Sequence, residues 1–251
     1  MVYFIGAGPG APDLITLRGW RLLQQADVVI YAGSLVNPAL LDGVRPGCRV
    51  YDSAGMTLEE VLAAMRAAEE QGLATVRLHT GDASIYGAIR EQMDALDVLG
   101  IPYECVPGVS SFQGAAAALH AEYTLPGVSQ TVILTRMAGR TPVPAGESIE
   151  ALAAHGASMV VFLTSTMLEE LSQRLIAGGY APDSPAAIVY KATWPDEKVV
   201  RTTVAGIPRA AAENGIHKMA LVLVGGFLGA GYDRSCLYDP AFGHLFREAQ
   251  P

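Results

Sequence analysis

Residues 77–112 read RLHTGDASIYGAIREQMDALDVLGIPYECVPGVSSF, and their pattern decides the fold class. Residues 75–79 (TVRLH) are β-branched and apolar enough for a strand. Thr80, Gly81 and Asp82 break it. Ile85, Ile89, Met93 and Leu96 recur at helical spacing, which predicts a helix, and Gly100 ends it. Pro102–Val106 is the next strand, and Pro107, Gly108, Ser110 and Ser111 make a second loop. In a parallel βαβ unit both loops lie at the carboxyl ends of their strands, where open α/β sheets bind ligands. Two such loops side by side, bearing Asp and Ser side chains, suit a polar cofactor. Ordinary turn chemistry draws on the same residue types, so both readings stay open at this point.

Outward from this unit, the first half alternates strand and helix. Val2–Ile5, Val28–Tyr31 and Arg49–Asp52 read as strands. Asp13 or Thr16 caps a helix with Leu17, Trp20 and Leu23 on its apolar face, and Thr57-x-x-Glu60 is a capping box for another. This predicts a mostly parallel, doubly wound sheet. An Ala-rich helix from Ser111 to Ala121 leads into residues 122–129. The second half predicts strands at Thr131–Thr135, Met159–Leu163, Ala187–Tyr190, Val199–Val204 and Met219–Phe227. Helices are expected at Ile149–His155, after a Thr166-x-x-Glu169 cap, and at Ile207–Asn214. The expected fold is two α/β domains with mostly parallel or mixed sheets: residues 1–114, a helix end and linker at 115–128, and residues 129–251.

Composition narrows the function classes. A chain of 251 residues with 51% hydrophobic content folds around a substantial core. The uncharged run Cys105–Ala121 carries Pro, Gly, Gln and Ser, so no membrane span is expected. No signal peptide is read at the N-terminus. Cys48, Cys105 and Cys236 are odd in number and form no C-x-x-C, which suits the cytoplasm and offers no metal framework. His79, His120, His155, His217 and His244 have no ligand spacing. A net charge of −8 argues against broad nucleic-acid binding.

Gly6-x-Gly8-x-x-Ala11 follows a strand and fits the dinucleotide fingerprint with Ala in its last place. Two features count against a nucleotide site. Pro9 removes an N–H from the loop that should cradle a pyrophosphate, and Asp27 precedes the second strand instead of ending it.

The strings VYFIGAGPGAPDLITLRG and ADVVIYAGSLV, with the central TGDASIYG and PGVSSF loops, resemble the tetrapyrrole methylases. Ala83 stands where that family often has Pro. YAGSLVNPALL, EYTLPGVSQTVILTR, GRTPVP, MVVFLTST and YKATWPDEKVVR are similar to the branch that methylates precorrin-4 at C-11 in cobalamin biosynthesis. The resemblance implies two α/β domains with a cofactor cleft between them. It implies S-adenosylmethionine as methyl donor, S-adenosylhomocysteine as product, and a small-molecule tetrapyrrole substrate. Carried over, the cofactor contacts fall on Pro9, Thr80, Gly81, Asp82, Ile85, Ser110 and Ser111, with Leu163 and Ala192 from the second domain. Tyr86 and Trp194 have two readings, a cation–π wall for the sulfonium or packing. A ring bearing many carboxylates needs arginine clamps, and Arg18, Arg90, Arg136 and Arg140 flank the loops. In-line transfer of an activated methyl needs alignment more than acid–base help, so no catalytic residue is assigned. The family also implies a homodimer. Another family member acting on a different tetrapyrrole carbon is the alternative.

Overall fold

The computed structural model describes residues 1–33 and 35–249. The chain divides into two compact units. The first comprises Met1–Ala115 and Lys191–Glu197; the second comprises Ala116–Tyr190 and the chain from Lys198 onward. Ala192, expected in the second domain, therefore groups with the first.

The first unit contains β1 (Val2–Gly6), α1 (Leu17–Gln25), β2 (Val28–Tyr31), β3 (Arg49–Asp52), α2 (Leu58–Glu69), β4 (Thr75–His79), α3 (Arg90–Leu99) and β5 (Tyr103–Val106). It also holds the start of α4 (Ser111–Leu119). The strands form one all-parallel sheet in the order β3-β2-β4-β1-β5. Strand side chains alternate between the two faces. Ile5, Val29, Val76 and Leu78 pack with Leu23 of α1 and with Val36 and Leu40. Val2, Phe4, Val28 and Ile30 pack with Val61, Met65 and Ala68 of α2 and Leu96 of α3. Both faces of the central strands are covered, and β1 and β2 accordingly read as short apolar runs.

The second unit contains β6 (Val132–Arg136), α5 (Ile149–Ala153), β7 (Ser158–Phe162), α6 (Leu168–Ala177), β8 (Pro185–Tyr190), β9 (Lys198–Thr203), α7 (Ile207–Glu213) and β10 (Ala220–Val224). Its sheet is mixed, in the order β6-β7-β10-β8-β9. β6 and β7 are parallel, and the other pairs are antiparallel. Met159, Val161, Ile188, Val222 and Val224 meet Ile149 of α5, Leu171 and Leu175 of α6 and Ile207 of α7 in one core.

Three local expectations change. The helical spacing from Ile85 onward overextends α3, which starts at Arg90. Asp82 turns the chain there: its Oδ1 accepts from the Ser84 N–H at 2.8 Å, and Tyr86 and Ala88 adopt φ of 56° and 48°. Ile85 and Ile89 are spaced for a helix but used by a loop. The Thr166 capping box does not form, because α6 starts one residue later, with Met167 at its N-cap and Glu169 out of register. Leu17, read as core-facing, is exposed, since the inward face of α1 is carried by Gly19 and Leu23. By contrast, the Thr57/Glu60 box is complete, and Thr16 caps α1. No described helix is long and apolar enough to cross a membrane.

Candidate active site

Three loops leave the carboxyl ends of β1, β4 and β5 and meet backbone to backbone. Gly8 and Gly81 exchange two hydrogen bonds, Gly8 N–H to Gly81 O at 3.2 Å and Gly81 N–H to Gly8 O at 2.8 Å. A Cβ on Gly108 would stand 2.2 Å from Gly81 O, and one on Gly6 would stand 2.5 Å from Gly108 Cα. No side chain fits there, so glycine is what permits the loops to touch. Gly81 differs. A Cβ there would sit 3.4 Å from Ser110 Cα, an ordinary contact, but φ is +61°. Its requirement for glycine is conformational rather than spatial.

Asp82 ties two of the loops together. Its Oδ2 accepts from the Gly108 N–H at 2.7 Å, and its Oδ1 accepts from both the N–H and the hydroxyl of Ser84. Partial burial raises the Asp82 carboxyl. The bonds from the Ser84 hydroxyl, the Gly108 N–H and the Ser84 N–H outweigh burial, and its pKa lies below the usual aspartate value. Ser110 opens α4: its carbonyl accepts from Gly114 N–H at 3.2 Å, and Gln113 Oε1 accepts from Ser110 N–H at 2.8 Å. Sequence reading put Ser110 and Ser111 here but missed Gln113. The S-x-x-Q spacing was the available signal.

The Gly-rich loop of β1 is gripped by protein groups. The Pro9 carbonyl accepts from Trp194 Nε1 at 3.2 Å, and the Gly10 carbonyl from Asn37 Nδ2 at 2.9 Å. The Ala11 N–H donates to Thr193 Oγ1 at 2.9 Å. After the loop the chain makes a 3₁₀ turn at Pro12–Leu14, and α1 starts only at Leu17. With the Ala7, Gly8 and Ala11 N–H groups engaged, no N–H at Pro9 and no helix end behind it, this loop is not built to cradle a pyrophosphate. Trp194 is a packing residue: a Cβ on Gly10 would be 2.1 Å from its Cδ1, and Lys191 Nζ lies 5.3 Å from its ring centroid. Thr193, Lys191 and Asn37 were not singled out from sequence. The YKATWPDEK string was the only sign of the first two.

Behind the β4 loop lie two buried side chains of basic residues, Arg77 and His79. Arg77 donates to Gln92 Oε1 and to the Ile30 carbonyl, each at 3.2 Å, and burial lowers its pKa to about 10. His79 is 5% exposed, and its Nε2 has no hydrogen-bond partner among the described residues. Burial, then the charge of Arg77, pushes its pKa down to about 3. His79 is therefore neutral at physiological pH, inside the sheet rather than in the loops.

Leu163 and two of the four arginines belong to the second unit. Leu163 follows β7 with φ +53° and is 64% exposed, an apolar side chain held outward by a strained backbone. With Arg136, Arg140, Thr166 and Met167 it lines a pocket of about 430 Å³. Arg136 donates to the carbonyls of Met137, Thr141 and Pro142 at 3.1, 3.2 and 2.7 Å. Arg18 pairs with Glu104, and Arg90 pairs with Asp94 at 2.7 Å. Arg140 has no ion pair or hydrogen bond among the described residues.

The description Tetrapyrrole (Corrin/Porphyrin) Methylases matches residues 1–208. The chain is 49% identical over 249 residues to the cobalt-precorrin-4 C(11)-methyltransferase of Methanocaldococcus jannaschii, covering 99% of this chain and 96% of that protein. It is 47% identical over 251 residues to the precorrin-4 C(11)-methyltransferase of Pseudomonas aeruginosa, covering 99% of each. Among solved structures it is similar to the cobalt precorrin-4 methyltransferase CbiF, with a TM-score of 0.89 and 51% identity over 91% of this chain and 96% of that one. It is also similar to the uroporphyrin-III C-methyltransferase of Thermus thermophilus complexed with S-adenosylhomocysteine, with a TM-score of 0.75 and 27% identity over 90% and 92% of the two chains.

Proposed function

The chain belongs to the tetrapyrrole methylases, and from that membership we propose that it transfers a methyl group from S-adenosylmethionine to C-11 of precorrin-4 or cobalt-precorrin-4. The geometry favours this reading through one observation. The titratable groups in and behind the converging loops are already committed: Asp82 to Gly108 and Ser84, Arg77 to Gln92 and Ile30, and His79 to the neutral state. Bound at this site, S-adenosylmethionine supplies a methyl group already activated by its sulfonium. The protein's share is alignment, and holding two reactants in attack geometry is worth up to roughly 7–11 kcal/mol.

Pro9, Thr80, Gly81, Asp82, Ile85, Ser110, Ser111 and Ala192 hold the cofactor in this reading, with Leu163 of the second unit as a further apolar contact. The fit is supported by the convergence of the three loops, whose backbones touch at Gly6, Gly81 and Gly108 and bring Thr80, Asp82 and Ser110 to one end of the sheet. Asp82 acts by fixing the Gly108 loop as well as by presenting its carboxylate. Arg18 and Arg90 are exposed, and their ion pairs are weak enough to yield to a substrate carboxylate. The reading includes a homodimer in the cytoplasm. Exposed Leu237, Tyr238, Leu245 and Phe246 offer apolar surface for association, and sedimentation equilibrium tests it.

The decisive experiment incubates the protein with S-adenosylmethionine and either precorrin-4 or cobalt-precorrin-4. Gain of one methyl group, placed at C-11 by NMR, is expected with at least one substrate. The better substrate shows whether cobalt precedes this step. No methylated product from either overturns the reading.

A further inference from the structure

Two arginines line the second-unit pocket, and its described lining contains no acidic residue. In a chain of net charge −8 this is a local basic spot, suited to an anion recognised by short-range contact. The two arginines are not equivalent. The three carbonyls that Arg136 engages, at Met137, Thr141 and Pro142, lie on the loop that follows β6. Gly139 N–H closes the same loop onto Thr141 O at 3.2 Å. Arg136 thus shapes the pocket wall. Arg140 stands on that wall, exposed, with its five N–H donors unengaged among the described residues. Thr166, a hydroxyl-bearing residue left outside α6, belongs to the same lining.

We propose that this pocket is a carboxylate subsite, in which Arg140 and Thr166 bind one carboxylate side chain of the substrate ring and Arg136 is a positioning residue. Met167 receives the methylenes that carry the carboxylate. The guanidinium fork matches a carboxylate in two parallel bonds, which an ammonium cannot reproduce. This subsite rests on the tetrapyrrole reading above. A carboxylate is also present on the amino-acid part of the cofactor, so the test must separate the two sources.

The test is steady-state kinetics with precorrin-4 and cobalt-precorrin-4 at saturating S-adenosylmethionine, beside titration calorimetry with S-adenosylhomocysteine. Arg140→Ala should raise KM about tenfold or more, with kcat within about twofold, because it removes binding common to ground and transition states. Arg140→Lys should recover only part of the loss. Arg136→Ala should raise KM and also lower the melting temperature, as a wall-building residue would and Arg140 would not. S-adenosylhomocysteine affinity should be unchanged in Arg140→Ala. An unchanged KM in that variant, with active wild type, overturns the subsite and leaves the methyltransferase reading standing. Weakened S-adenosylhomocysteine binding overturns it in favour of the cofactor's carboxylate. An inactive wild type removes the function and the subsite together.

Discussion

The indole N–H of Trp194 donates to the Pro9 carbonyl at 3.2 Å, across 185 residues of sequence. The loop between β8 and β9 brings it there. Neighbouring Thr193 has φ +69°, a conformation that is costly for a β-branched residue, by roughly 1–3 kcal/mol. Two bonds sustain it: its hydroxyl accepts from Ala11, and its N–H donates to Glu197 Oε2 at 2.6 Å. The position of Pro9, a cofactor contact in the proposed function, is therefore set from a distant segment.

Trp194→Phe keeps most of the ring and deletes the donor. S-adenosylhomocysteine should bind about fivefold more weakly, near 1 kcal/mol, with the fold retained. Calorimetry beside a thermal melt reads this. Wild-type affinity in the variant would show that the strap does not govern Pro9.

Glycine substitutions should rank by mechanism. Gly108→Ala places a Cβ 2.2 Å from Gly81 O and forces two loops apart, so it should abolish cofactor binding and lower stability. Gly81→Ala meets ordinary contacts and suffers mainly from φ +61°, about 1–2 kcal/mol. Denaturant titration of both variants checks the order, and a larger loss at Gly81 would contradict it.

Asp82→Asn replaces a carboxylate that accepts three hydrogen bonds. Stability should fall by about 1–3 kcal/mol, and cofactor affinity with it. The folded Asp82 pKa is lowered, so its stabilising contribution is present above the unfolded value and lost as pH falls through the folded one. Across neutral pH neither Asp82 nor His79 changes charge. At saturating cofactor, kcat of both wild type and variant should be nearly flat there, and a bell-shaped wild-type profile would reveal an essential acid or base and overturn transfer by alignment alone.

His79 should stay neutral far into the acid range. Its folded pKa of about 3 lies below the unfolded value, so the unfolded chain binds the extra proton as pH drops below the ordinary histidine range. Stability should therefore decrease on acidification through this window, by up to about 1.4 kcal/mol per pH unit, and His79→Phe should flatten that slope. An NMR titration of the imidazole should show no inflection between about pH 8 and pH 5. A midpoint near the free-histidine value would mean that His79 reaches solvent.

Much of the fold was legible because its signals are local. Thr57 and Glu60 lie one helical turn apart, Gly100 ends α3 in the left-handed conformation, and Val28–Tyr31 is an apolar run between turns. The helix predicted from Ile85 failed for an equally physical reason. Apolar spacing reports that residues are buried, and a loop pinned by Asp82 buries Ile85 and Ile89 partly without helical hydrogen bonds. By itself the sequence determined the α/β class, the places where loops interrupt the strands, and the family. Only tertiary structure decided that Arg136 faces its own chain while Arg140 has no partner among the described residues. It alone decided that Asp82 binds Gly108 and that Trp194 closes on Pro9. Those choices depend on distances between residues far apart in the chain, and spacing along the sequence carries no information about such distances until the backbone closes.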